Sequence, residues 1–184
     1  MTLTRHLLPA SLIAVALVAG AAPLKTDLAH SSVSATFKQM NVPVDAKFKK
    51  FSASIDYDAA KPELAKASVD IDTSSLDLGE AEMNKEVAKK DWFNSAQYPK
   101  ASFVSSSIKP AGAGKLTVAG KLSIKGKSAD VSFPLTVKLE AGKQVFEGAL
   151  PIKRLAFNIG EGEWKDTSMV ADDVIIKFRV MAAQ

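Results

Sequence analysis

A histidine within reach of serine and aspartate is the arrangement that could activate a nucleophile. Beyond position 6 this chain has one histidine, His30, in DLAHSS. Serines and aspartates are plentiful, so a hydrolase or isomerase with His30 as base is one reading. A histidine holding a structural hydrogen bond where a strand begins is the competing one. A single histidine leaves no His-rich metal site. GAGKL, Gly112 to Leu116, looks like a phosphate loop but lacks its spacing and the Ser or Thr after the lysine, so it reads as a hairpin turn. Glu161, Glu163, Asp166, Asp172 and Asp173 match no calcium-loop spacing and read as a solvated acidic loop. These residues assign no catalytic group, no metal and no cofactor. What stands out is aromatic: DWFNSAQYPKASF, Asp91 to Phe103, gathers Trp92, Phe93 and Tyr98 just ahead of Pro99.

The elements that must position those aromatics follow period two. Val131, Phe133, Leu135, Val137 and Leu139 alternate with polar residues or proline, which puts five apolar side chains on one face of a strand. Leu116, Val118, Leu122 and Ile124 repeat the pattern with Gly120 in the apolar register, as do Val174, Ile176, Phe178 and Val180. Val33 to Phe37, Ala67 to Ile71 and Phe146 to Ile152 are weaker copies. Two further strands are expected at Lys47 to Tyr57, with a bulge or break because Phe48 and Phe51 differ in parity, and at Lys100 to Ile108. About eight strands with short connections favour antiparallel neighbours around one interior, as either a two-sheet sandwich or a closed barrel. Pro134 and Pro151 should sit at an edge or where a ladder is interrupted.

One stretch breaks the period. Asp77 to Glu80 has capping-box spacing, and AEMNKEVAKK carries Met83 and Val87 on one face, so a helix of about three turns is expected from near Gly79 to near Lys90. It would deliver Trp92 and Phe93 about 100° apart at its end. Trp92 would then plug the open end of the core, while Phe93 lies against a neighbouring loop or the strand after Pro99. This cluster is either architecture or a lid beside a cavity mouth.

Length allows one domain with a substantial core, expected over 22–184. Residues 1–21 read as a cleaved signal peptide: Arg5 and His6 precede the apolar run LLPASLIAVALV, Ala19 to Ala21 supply small residues for cleavage, and the run is too short to span a bilayer. The expected location is therefore periplasmic, and with no cysteine there is neither a lipid anchor nor a disulfide. Without Arg5 the net charge is +3, spread along the chain. The cluster Lys47, Lys49 and Lys50 suits transient contact with an anionic membrane surface. Nucleic acid is not expected as a partner, because the aromatics mostly occupy inward register.

Four segments in order carry a resemblance. DLAHSSVSATF (Asp27 to Phe37), DWFNSAQYPKASF, GKLSIKGKSADVSFPL (Gly120 to Leu135) and IKRLAFNIGEGEW (Ile152 to Trp164) together resemble the YceI-like proteins, in order and spacing from about Asp27 to Ala182. Ala46 stands where many members carry glycine. The resemblance implies a lipocalin-like antiparallel barrel, in place of the sandwich, that is periplasmic and non-catalytic. It also implies a polyisoprenoid or isoprenoid-quinone lipid held in the interior. The cavity would be lined by Phe37, Val69, Ile71, Phe103, Leu116, Val118, Val131, Phe133, Leu135, Ile176 and Phe178, with Trp92, Phe93 and Tyr98 as lid or plug. Apart from the resemblance, a homodimer is one assembly open to the chain. The alternative is a filled barrel acting as a stress-response or interaction module without cargo.

Overall fold

The computed structural model describes residues 23–183, so the leader expected over 1–21 lies outside the described residues. Ten antiparallel strands are present: β1 (Lys25–Gln39), β2 (Val42–Phe48), β3 (Phe51–Asp56), β4 (Lys66–Asp72), β5 (Leu76–Asp77), β6 (Lys100–Pro110), β7 (Lys115–Ile124), β8 (Lys127–Glu140), β9 (Lys143–Lys153) and β10 (Val170–Ala183). They form one sheet in the order β3-β4-β6-β7-β8-β9-β10-β1-β2-β5. The class is all-β, with two strands more than the alternation suggests. The stretch from Lys47 breaks into β2 and β3 at Lys49–Lys50, and the two-residue β5 is too short to show a period.

The break has a structural purpose. β2 lies near one edge of the sheet and β3 forms the other, so Lys49–Lys50 spans the gap between them. The Lys49 amide donates to Ser75 O at 3.0 Å, and the Asp72 amide donates to Lys50 O at 3.0 Å. Further down, the Leu24 amide donates to Ile55 O at 2.7 Å and Thr26 Oγ1 donates to Ala53 O at 2.8 Å. These contacts curl the sheet into a half-barrel whose edges meet with few ladder bonds. Ala46 is fully buried in the regular β1–β2 ladder opposite Ala35.

Tight turns fix the register. Met40–Asn41, Lys125–Gly126 and Ala141–Gly142 each have two successive positive φ values, the geometry that matches strand twist in two-residue hairpins. The β8–β9 ladder stops at Leu135 and Gly148, and Pro134 and Pro151 lie just beyond that stop. Each therefore needs to satisfy only one neighbour, as their missing N–H requires.

The helix α1 is shorter than expected, Ala81–Val87. Its N-cap is Glu80 with no side-chain cap, so the expected capping box does not form. The Asp77 carboxylate instead accepts from the Gly79 amide at 3.1 Å and from Asn84 Nδ2 at 2.9 Å, while Asn84 Oδ1 accepts from the Leu78 amide at 2.7 Å. At the other end the Phe93 amide returns to Val87 O and the Ser95 amide to Ala88 O, both at 3.0 Å. This fold-back ends the helix about one turn early.

Candidate functional site

The inward face of the half-barrel is not filled evenly. Toward the β6–β7 and β8–β9 hairpins it is packed with Ile108, Leu116 and Phe146, with Tyr57 edge-on to Phe146 at 5.3 Å. Above this floor a cavity of about 310 Å³ remains, at the small end of the range for ligand sites.

Its wall is built around a band of three phenylalanines and two glycines. Phe133 on β8 meets Phe103 on β6 and Phe178 on β10 edge-on, each at 5.4 Å between ring centres. The intervening strands carry Gly120 and Gly148, and the rings lie over them. A Cβ on Gly148 would come within 2.3 Å of Phe178 Cζ, and one on Gly120 within 2.6 Å of the Phe103 ring and 2.4 Å of Val104 O. Glycine on β7 and β9 lets the rings lie flat, which widens the interior.

The other end is covered by α1 and by two loops. Met83 and Val87 on α1, with Leu78, Trp92, Phe93 and Trp164, border the cavity. Trp92 and Phe93 both face it, against the expectation that only one could, because they follow a chain reversal and do not continue the helix. Phe93 meets Phe48 edge-on at 6.3 Å, and Trp92 tilts against Trp164 at 5.3 Å.

Arg154 holds the second loop in place. It is 2 % exposed, and all its guanidinium contacts are backbone carbonyls: Ala171 O from Nε, Ile159 O and Gly160 O from Nη1, and Trp164 O and Val170 O from Nη2. Burial pulls the guanidinium below its ordinary pKa, while the nearby Asp172 opposes that shift. Lys125, also buried, ties the first loop to the second by donating to Lys90 O at 2.8 Å, Asn158 O at 2.7 Å and Glu161 Oε2 at 2.8 Å. Among the described residues the polar side chains bordering the cavity, apart from the two tryptophans, are Gln39, Glu86, Ser102 and Arg154. Gln39 and Glu86 are half-buried and mark where the lining meets solvent.

Of the eleven expected lining residues, Phe37, Val69, Ile71, Phe103, Val118, Phe133, Leu135, Ile176 and Phe178 border the cavity. Leu116 does not. It is buried in the floor beside the β6–β7 hairpin, opposite Leu135 and Pro110. Val131 does not either, since it pairs with Gly120, over which the Phe103 ring lies. Tyr98 is also outside the lining. Its ring packs near Gly126 and its carbonyl accepts from Thr73 Oγ1 at 2.8 Å.

Arg154 and Trp164 border the cavity without having been expected there. Arg154 has a signal in the sequence, since it continues the inward register of Phe146, Gly148, Leu150 and Ile152. Trp164 has none, because it lies in a loop.

Of the other chemistry-bearing residues, His30 is exposed on an irregular stretch of β1, bonded through Nδ1 to Asp27 Oδ2 at 3.0 Å, and does not border the cavity. Among the described residues no three acidic, histidine or cysteine side chains gather as metal ligands. Glu161 pairs with Lys125, Asp173 with Lys153, and Asp172 accepts from the Leu155 amide. GAGKL forms the β6–β7 turn.

Residues 24–182 match the family model described as the YceI-like domain. A UPF0312 protein of Shewanella baltica is 34 % identical over 138 residues, 73 % of this chain and 70 % of that protein. The crystal structure of BcnA from Burkholderia cenocepacia superposes with TM-score 0.84 at 55 % identity, covering 86 % of this chain and all of that one. A domain from Saccharophagus degradans described as polyisoprenoid-binding superposes with TM-score 0.69 at 16 % identity over 87 % of this chain and 97 % of that one, a likeness of fold.

Proposed function

The chain belongs to the YceI-like family, and from that premise we propose that it is a non-catalytic lipid-binding protein. In this reading the barrel cavity takes the chain of a polyisoprenoid or isoprenoid quinone. The observation that carries it is the state of the inward apolar residues: Phe37, Val69, Ile71, Phe103, Ile176 and Phe178 are only half-buried, because they border an apolar cavity in place of packed neighbours. A filled barrel would bury them outright. The polyisoprenoid-binding domain of the same fold adds support.

The rest of the reading follows from the expected leader: export to the periplasm and exchange of cargo at a membrane surface. Met40, Val42 and Met169 favour such contact. They are 62 %, 62 % and 45 % exposed, stand on adjacent turns joined by a bond from the Met40 amide to Met169 O, and lie next to Gln39 at the cavity border.

Native mass spectrometry of protein purified from its own periplasm tests the proposal, with mass analysis of the organic extract. A retained lipid with an isoprenoid mass ladder is expected. Protein of bare mass that also fails to take up an added polyprenyl lipid would leave the filled-barrel module as the function.

A further inference from the structure

Met40 is 62 % exposed and stands in a two-residue turn with φ 47, a backbone that Asn or Gly adopts more readily than a side chain of its size. The chain thus holds a large apolar side chain in water at a cost in backbone energy. Met169, 45 % exposed, is fixed beside it by the bond from the Met40 amide to Met169 O at 2.8 Å. Both sit at the cavity rim, since their chain neighbours Gln39 and Val170 pair across β1 and β10 and line the cavity.

Sulfur makes this rim chemically distinct. The other methionines among the described residues, Met83 and Met181, are half-buried, and the chain has no cysteine. Oxidation of sulfur side chains follows exposure, so a peroxide in solution meets Met40 and Met169 first. The thioether lone pair takes one oxygen of hydrogen peroxide as the O–O bond breaks. The other oxygen leaves as water with the proton of the transferred hydroxyl, so sulfur loses two electrons, the peroxide gains them, and the product is methionine sulfoxide. Its oxygen is a polar acceptor, and a hydrocarbon phase offers it no donor.

We propose that Met40 and Met169 form a reversible peroxide-oxidation site that switches off the membrane contact of the cavity rim. Reduced, the pair presents apolar surface to lipid. Oxidised, it presents two sulfoxides and stays in water. This rests on the membrane-contact reading above and adds its regulation.

The test treats the protein with graded hydrogen peroxide and follows both peptide masses and binding to vesicles of phosphatidylethanolamine and phosphatidylglycerol. Sulfoxide is expected at Met40 and Met169 before Met83 and Met181. Vesicle binding should then weaken about tenfold or more, the worth of withdrawing at least one apolar side chain from the contact, with the melting transition retained. Methionine sulfoxide reductases A and B, which act on the two sulfoxide epimers, should restore binding. In protein carrying Met40→Leu and Met169→Leu, which removes the sulfur, peroxide should no longer change vesicle binding. Equally fast oxidation of Met83 or Met181, binding indifferent to sulfoxide at the rim, loss of the melting transition, or a peroxide effect that persists in the double variant would each overturn the switch while leaving membrane contact intact. Untreated protein that does not bind the vesicles would overturn the membrane-contact reading and the switch with it.

Discussion

Phe133 touches both other rings of the aromatic band and is 6 % exposed. Phe133→Asp would place an unpaired carboxylate against hydrocarbon, so binding of a polyprenyl probe should be lost, with a fall in melting temperature. Lys121 makes only an exposed pair with Asp130 on the outer face, so Lys121→Ala should leave the affinity intact and change stability by less than about 1 kcal/mol in denaturant titration. Arg154 behaves differently from any surface cation. Replacing it by lysine removes a planar group that satisfies five carbonyls, and the loss should be roughly 3 kcal/mol or more. A near-neutral Arg154→Lys in the same titration would mean that water serves those carbonyls equally well. These residues differ in how far their roles show in the sequence. Phe133 is readable from alternation and Arg154 from its register alone, but nothing in the register reveals that five carbonyls, three from the loop that follows and two from the start of β10, converge on it.

The two glycines beneath the aromatic band work through their strands. In Gly148→Ala the new methyl can be met only by lifting the Phe178 ring into the cavity, since nothing else is so close. Affinity for a long chain should then fall more than stability does, and adding Phe178→Leu should restore it, measured by titration and melting on the same samples. In Gly120→Ala the methyl also meets Val104 O, which is backbone, so the main effect should be a stability loss of about 1–3 kcal/mol. At the entrance to α1, hydrogen bonds from Lys49, then Asn84 and the Gly79 amide, hold the Asp77 carboxyl at about 2, below its ordinary 3.8. A pKa lowered by folding contributes stability that is full above the unfolded value and lost as the pH falls through the folded one. The α1 anchor should therefore hold at pH 5 and release as the pH drops from about 3.8 toward 2. The Asp77 carboxyl carbon, followed by NMR, should titrate near 2, and a midpoint near 3.8 would show that the Lys49 and Asn84 contacts are not kept in solution.

For the whole molecule, the distribution of polar groups ranks the forces on a ligand. Each methylene taken from water contributes about 0.8 kcal/mol, whereas a charged contact at a solvated rim contributes about 1 kcal/mol or less. Among the described residues the polar lining side chains are Gln39, Glu86, Ser102 and Arg154, the last already bonded to carbonyls, so the chain of the ligand dominates. A bound polyprenyl lipid should stay in place at high salt, and gel filtration in which salt strips the lipid from folded protein would reverse this ranking. Bound lipid should also raise the melting temperature, since it binds only the folded barrel.

Alternation of side chains is a property of the extended backbone, so the sequence by itself determined the all-β class, the inward face of each long strand and the positions where proline is tolerated. Val118, Phe133, Ile176 and Phe178 were legible for that reason. The sequence could not separate Leu116 from Val118, two residues apart in one register, because one falls in the packed floor and the other beside the cavity. That distinction depends on how the sheet curls and where its edges meet, at Lys49–Lys50 and at Leu24 with Ile55. The same holds for Trp92 and Phe93. Their joint orientation comes from a chain reversal fixed by bonds back to Val87 and Ala88, and their neighbours Phe48 and Trp164 are distant in sequence. Period two encodes which side of a strand is apolar, but whether that side meets another side chain or a void is decided only when distant strands close on one another.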